Sequence, residues 1–291
     1  MEPLRICAGA SSFSSVCKIK AKNSSSKTPL ILSRFLSSRN GSGVLLNTSN
    51  TGKYAAEINT FTRDDIFVLT AAHVASMAGL RRDGLECVFP SGSVQAEIFS
   101  VHERLDLALL RVVQGGQGVE SSLSSSKFSS VSSLSSRGLE LSRKDDEKKK
   151  KTRSVQAFGY PMAYANPLFT LFRDSEQSSE SNGEIIGYSE DFTHVAHTAQ
   201  VASGCSGGPL LDDDGYILGV HSFGDKFYGG EADVAACCSE NDLVDMLNNP
   251  SQSPSDWATG AISEKIMKSS LKAMRDIFPD IPENEAKKWI L

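Results

Sequence analysis

Three short polar motifs, each set against an apolar strand-like run, constrain this chain's fold more than any other feature. Leu69-Thr70-Ala71-Ala72-His73-Val74 ends a β-branched run on a histidine, and Leu105-Asp106-Leu107-Ala108-Leu109-Leu110 opens another on an aspartate. Gly204-Cys205-Ser206-Gly207-Gly208-Pro209 then sets a serine among small residues. A serine hydroxyl is a poor nucleophile near neutral pH and needs a neutral imidazole to take its proton as it attacks a carbonyl. A carboxylate fixes the imidazole tautomer and stabilises the imidazolium. Small residues let the main chain turn sharply and present N–H groups to a developing oxyanion, each worth roughly 3 kcal/mol. The intervals between the motifs leave room for a strand pair and then a second set of strands.

The motifs and their order resemble those of the chymotrypsin-like serine proteases. The resemblance covers roughly residues 13 to 248. Gly41-Ser42-Gly43-Val44-Leu45-Leu46 is similar to the strand before the histidine motif in intracellular and bacterial-type members, and Val155-Gln156-Ala157-Phe158-Gly159-Tyr160-Pro161 to the strand opening their second barrel. Ile217-Leu218-Gly219-Val220-His221-Ser222 is similar to the strand that walls the specificity pocket. The resemblance implies an all-β fold of two antiparallel six-stranded barrels, here followed by a C-terminal helical extension. It implies a serine endopeptidase working through an acyl-enzyme, with His73 as base, Asp106 as its orienting carboxylate and Ser206 as nucleophile. The N–H groups of Gly204 and Ser206 would form the oxyanion hole. Protein or peptide substrates are expected, with neither metal nor organic cofactor. A barrel that binds peptides as a catalytically silent scaffold is the alternative.

Departures from the family pattern carry information of their own. Secreted trypsins hold an aspartate just before the serine, which captures a newly cut N-terminus, whereas this chain has Cys205. With no Ile-Val-Gly-Gly segment either, the resemblance implies a domain that folds active without clipping. Cys205 reads as a buried packing thiol, because Ser206 and not Cys205 directly precedes the paired glycines. Trypsins place an acid six residues before the serine; that position is Gln200 here, beside Val201. A neutral amide leaves a buried cation unpaired, which disfavours a strong basic preference. His221 follows Ser206 by fifteen residues, the offset at which glutamyl endopeptidases and several viral relatives carry a histidine that donates to Glu or Gln. Gln200, Val201 and His221 are therefore the candidate substrate-binding residues, and cleavage after Glu, Asp or Gln is expected. His102, His194 and His197 read as structural or surface residues, with His197 able to border the site.

The rest of the chain sets the context. Its 291 residues, 40% hydrophobic, bury a substantial core, and a net charge of −5 gives no footprint for nucleic acid. No apolar run approaches the ~20 residues needed to cross a bilayer, so no membrane partner is expected. Val74 stands where secreted relatives carry a bridged cysteine, and Cys237 and Cys238 are adjacent, so the six cysteines read as free thiols in a reducing compartment. A cytoplasmic location is the expectation, with organelle import or the nucleus as alternatives: residues 3–56 contain no acid, and a lysine run occupies 148–151. The expected organisation is a short leader over 1–12, a first barrel over 13–113, a disordered Ser/Lys-rich insertion over 114–153, a second barrel over 154–249 and a helical extension over 250–291. In that extension Ile262, Ile266, Met267, Leu271, Met274 and Phe278 share one helical face, and Asp280-Ile281-Pro282-Glu283 resembles a capping box. The face suits packing on the barrel or docking a partner.

Overall fold

The computed structural model describes residues 15–21, 40–47, 66–76, 84–115, 153–163, 173–174, 178–213, 215, 217–224, 232–250 and 261–290. The expected leader over 1–12 and most of the expected insertion lie outside these residues.

Strands form where β-branched and aliphatic residues recur. β1 (Val16–Ala21), β2 (Asn40–Asn47), β3 (Ile66–Thr70), β4 (Leu85–Phe89), β5 (Gly92–Val101) and β6 (Ala108–Gly115) close into one barrel, ordered β1-β2-β3-β6-β5-β4 with every neighbour antiparallel. β4 alternates between buried and half-buried positions, as a strand with one face on the core does. β3 reads Ile-Phe-Val-Leu-Thr and is buried from Phe67 onward, hydrogen-bonded between β2 and β6, and α1 (Ala72–Ala75), which follows it, packs on those two neighbours.

β7 (Ser154–Gly159) begins the second half, followed by a small ribbon of β8 (Met162–Ala163) and β9 (Arg173–Asp174). β10 (Ser179–Tyr188), β11 (His194–His197), β12 (Pro209–Asp212), β13 (Ile217–Gly224) and β14 (Asp233–Cys237) join β7 in a second closed barrel, ordered β10-β11-β14-β13-β12-β7. The two six-stranded antiparallel barrels are the chymotrypsin-like architecture expected above. Closure removes the unpaired sheet edges that an open sheet would expose.

One apolar cluster fills the first barrel and continues into the seam, taking in Phe158, Tyr160, Leu211, Ile217 and Val220 from the second half. Val155, Ala157, Val195, Leu210, Leu218 and Ala235 make the core of the second barrel. The five described cysteines are free and buried, and burial pushes the Cys237 and Cys238 thiols above their ordinary value.

The helices lock the barrels together. α2 (Glu240–Asn248) starts on a capping box in which Ser239 and Asp242 exchange hydrogen bonds, and it buries Leu243, Met246 and Leu247 in the first barrel's cluster. Ser100 Oγ donates to the Asn249 carbonyl just past its end, at 3.0 Å. α3 (Ala261–Ile277) packs much of the expected apolar face, from Ile266 onward, against the chain itself. Leu271, Met274, Ile277 and Phe278 pack with Ala196, Phe223 and Val234, while Ile266 reaches the first cluster. Lys272 adds an ion pair to Asp191 at 3.4 Å. α4 (Glu283–Ile290) differs from expectation at its start. The Pro282 carbonyl accepts the N–H groups of Glu285 and Ala286, so the cap falls on Pro282 and Asp280 lies outside the helix.

Candidate active site

His73 sits on α1, a single turn whose neighbours Ala72, Val74 and Ala75 are all buried. Their packing turns the histidine outward, leaving its side chain 48% exposed. Asp106 stands where the turn after β5 enters β6, and the flanking Leu105 and Leu107 anchor it in the core. The Asp106 carboxylate takes three donors. Its Oδ1 accepts the His73 backbone N–H at 2.9 Å, and its Oδ2 lies 2.7 Å from His73 Nδ1 and also accepts the Ser222 hydroxyl from β13. Burial alone would raise the Asp106 carboxyl. The nearby imidazole and the bonds from His73 and Ser222 outweigh it and hold the group at about 2. An ionised Asp106 places the His73 proton on Nδ1, which leaves Nε2 with a lone pair.

The loop carrying Ser206 is fastened to the first barrel by one buried residue. The Ser42 N–H donates to the Ser206 carbonyl at 2.7 Å, and its Oγ donates to the Gly204 carbonyl at 2.8 Å while accepting the Tyr160 N–H at 2.8 Å. The Ser42 carbonyl accepts the Thr70 hydroxyl at 2.7 Å, three residues before His73. Gly207 has φ +86°, and a Cβ there would come within 2.2 Å of Ser42 O and Thr70 Oγ1. Only glycine permits both that conformation and that approach. The Ser206 loop is thereby pressed onto the segment that launches α1. The structure joins His73 to Asp106 directly.

Main-chain bonding sorts the donors of this loop. The N–H groups of Cys205, Gly207 and Gly208 are taken by the carbonyls of Ala202, His221 and Cys205. Those of Gly204 and Ser206 have no acceptor among the described residues, and Gly204 adopts φ +98°. Cys205 is buried against Gly159, and burial raises its thiol. A protonated, buried thiol is a poor nucleophile.

Residues expected at the substrate pocket are spread unevenly. Gln200 is exposed and Val201 half-buried. His221 lies on β13 directly before Ser222, 5% exposed, with its ring edge-on to that of His197 at 5.9 Å. His197 therefore borders the same wall. The Asp233 carboxylate bridges the two sides of this region. Its Oδ2 accepts the Val201 N–H at 3.2 Å, while Oδ1 lies where a Cβ on Gly224 would sit.

Sequence reasoning passed over Ser42, Ser222 and Asp233. The first two lay inside segments quoted only for strand resemblance, and nothing in their local pattern marks them as bridging residues. Ser42→Ala is expected to leave the Gly204 carbonyl and the Tyr160 N–H without their buried partner. The cost is about 2 kcal/mol or more of stability, read by urea unfolding. The active-site labelling rate should fall by on the order of tenfold or more as the loop loosens.

His194 and His197 are fully buried. Burial pushes both down to about 4, only partly offset by the Asp106 and Asp191 charges at His194 and by the Ala199 main chain at His197. Unfolding frees them to protonate near their ordinary 6.5. Between these values the unfolded chain binds more protons, so stability is full above about 6.5 and is lost as pH falls towards 4. Unfolding at pH 5 is expected to take up close to two extra protons from this pair. The slope of stability against pH measures that uptake.

Two closed barrels with a buried aspartate and an outward histidine paired at their seam define the chymotrypsin-like class of peptidases. The trypsin-like peptidase domain profile matches residues 41–220, and the chain belongs to that family. The active form of the Rv3671c protease from M. tuberculosis is similar at 18% identity and TM-score 0.48, the match covering 84% of this chain and 85% of that one. Deg5 is similar at 18% identity and TM-score 0.45, over 78% and 85% of the two chains. An HtrA-type protease bound to a tripeptide is similar at 14% identity and TM-score 0.46, over 78% and 57%. No curated protein sequence matches the chain.

Proposed function

We propose that this chain is a serine endopeptidase in which Ser206 attacks the peptide carbonyl and His73 takes its proton on Nε2. The bond from Ser206 Oγ to carbon forms, the carbon–nitrogen bond breaks, and His73 returns the proton to the departing amine. Water then repeats the attack on the acyl-enzyme with His73 again as base, releasing the acid and restoring the hydroxyl. Asp106 holds the tautomer this cycle needs and stabilises the imidazolium. The unoccupied N–H groups of Gly204 and Ser206 suit the oxyanion, at roughly 3 kcal/mol per donor. The observation that carries the reading is the buried Asp106 doubly bonded to an outward His73 beside a loop clamped through Ser42. A silent peptide-binding scaffold would have no use for a carboxylate held ionised behind an outward imidazole. Free, buried thiols fit action in a reducing compartment, and we place it in the cytosol.

For specificity, His221 beside His197 supports the acceptance of Glu, Asp or Gln before the cleaved bond, through donation from an imidazole N–H. Asp233 favours a second reading. A carboxylate between Val201 and Gly224 repels an acidic side chain and attracts Lys or Arg, supplying the charge that Gln200 lacks. A fluorophosphonate probe is expected to label the wild-type chain, and a peptide matrix varying that one residue separates the two readings. Preference for Glu or Gln keeps His221 in the role; preference for Lys or Arg, lost in Asp233→Asn, moves it to Asp233. A chain that is never labelled and cleaves no peptide contradicts the peptidase reading altogether.

A further inference from the structure

Asp106 rides on a tight turn, and the turn is closed by another histidine. The His102 N–H donates to the Leu107 carbonyl at 2.9 Å, spanning the turn. Its ring Nδ1 faces the backbone N–H groups of Arg104 at 3.1 Å and Leu105 at 2.9 Å. Two donors aimed at one ring nitrogen require a lone pair there, so the proton of the neutral ring is on Nε2. That nitrogen points to Asp242 Oδ1 at 3.4 Å, in the first turn of α2. The tautomer is the opposite of the one Asp106 imposes on His73.

Asp242 is itself fixed. Its other oxygen accepts the Ser239 N–H at 2.9 Å within the capping box, and α2 is seated by Leu243, Met246 and Leu247. Burial would raise the Asp242 carboxyl, but the bonds from His102 and Ser239 prevail and hold it below its ordinary value. An Asn or Ser at position 102 would serve merely to cap the two N–H groups. What imidazole adds is length: it caps the turn with one nitrogen and reaches a packed helix with the other.

We propose that His102, anchored by Asp242, is a positioning residue that sets the Asp106 turn and through it the orientation of His73. The inference rests on the peptidase reading above for its effect on turnover. Its structural half does not, because the Asp106–His73 bond reports the geometry whether or not peptides are cleaved.

Three variants test it on the full chain. His102→Ala removes the cap and the reach to α2. His102→Asn restores an acceptor close to the Nδ1 position but cannot reach Asp242, and Asp242→Ala removes the anchor together with its capping-box bond from the Ser239 N–H. The readouts are kcat and KM on a cleaved peptide, and the proton resonance of His73 Nδ1–H, shifted far downfield by its bond to Asp106. His102→Ala is expected to lower kcat by on the order of 10- to 100-fold with KM within about twofold, the effect of a small misplacement of a reacting group. The resonance should move or broaden, and His102→Asn should recover most of both. A folded His102→Ala with wild-type kcat and an unmoved resonance overturns the proposal, as does equal impairment in the Ala and Asn variants. If His102→Ala fails to fold, Asp242→Ala decides: a moved resonance with lower kcat supports positioning, and wild-type values for both refute it. A wild-type chain that no fluorophosphonate labels refutes the peptidase reading instead and leaves the resonance comparison standing.

Discussion

Ser206→Ala is expected to abolish fluorophosphonate labelling and to lower kcat by roughly a millionfold, the scale reached when a triad nucleophile is removed. The size follows from what remains. On the proposed mechanism the imidazole would have no attacking group to deprotonate, and the Gly204 and Ser206 N–H groups would be left with an oxyanion that forms only by slow attack of water. The fold should hardly notice. Ser206 contacts the first barrel through its carbonyl, which accepts from the Ser42 N–H, and the substitution leaves that bond in place. The loop conformation depends on Gly204 and Gly207, at φ +98° and +86°. Unchanged thermal unfolding with no labelling assigns the loss to chemistry. Labelling that persists in Ser206→Ala assigns the nucleophile elsewhere and removes the proposed mechanism.

Most of the architecture was legible in the sequence because strands and motifs are local. The apolar run that ends on His73 became β3, the one that Asp106 opens became β6, and the periodic run from Ile262 became α3, which ends at Ile277 just before Phe278. A residue whose role is to bridge two segments leaves no local mark. Ser42 was quoted only as part of a strand segment, between two glycines, yet its four bonds tie β2 to Gly204, Ser206, Tyr160 and Thr70. Ser222 follows His221 in a continuous buried strand, and only the docking of one barrel on the other brings its hydroxyl to Asp106. Asp233 meets Val201 within the second barrel, where β14 pairs with β11 and Asp233 lies opposite His197. His102 was read as structural or surface, a reading with no signal for the turn it caps or for its reach to α2. The terminal capping box failed for a different cause: Asp280 has a suitable side chain, but the chain turns at Phe278–Ile281 and begins the next helix after Pro282.

Asp106→Asn is expected to lower kcat by about ten-thousandfold while leaving KM and the fold close to those of the wild type. The carboxamide keeps one oxygen, which still accepts the His73 backbone N–H. Its amide nitrogen then faces His73 Nδ1, where the carboxylate oxygen accepted at 2.7 Å. Two donors cannot face each other, so the imidazole moves its proton to Nε2, and the nitrogen that should receive the Ser206 proton is already occupied. Stability separates the electrostatic part from the tautomer. The Asp106 carboxyl stands at about 2 in the folded chain against an ordinary 3.8, so the unfolded state binds more protons between those values. The wild type therefore loses about 2 kcal/mol of this contribution as pH falls from 4 towards 2, and the variant, with nothing to titrate there, does not. The acid loss from His197 occurs in both proteins and cancels in the difference, whereas that from His194, which feels the Asp106 charge, cancels only in part. Urea unfolding of the pair at pH 7 and at the lowest pH where both remain folded reads that difference directly. An unchanged gap would mean that His73 and Ser222 do not hold Asp106 ionised. Loss of activity in Asp106→Asn would then have to come from a displaced His73 side chain, not from its misplaced proton.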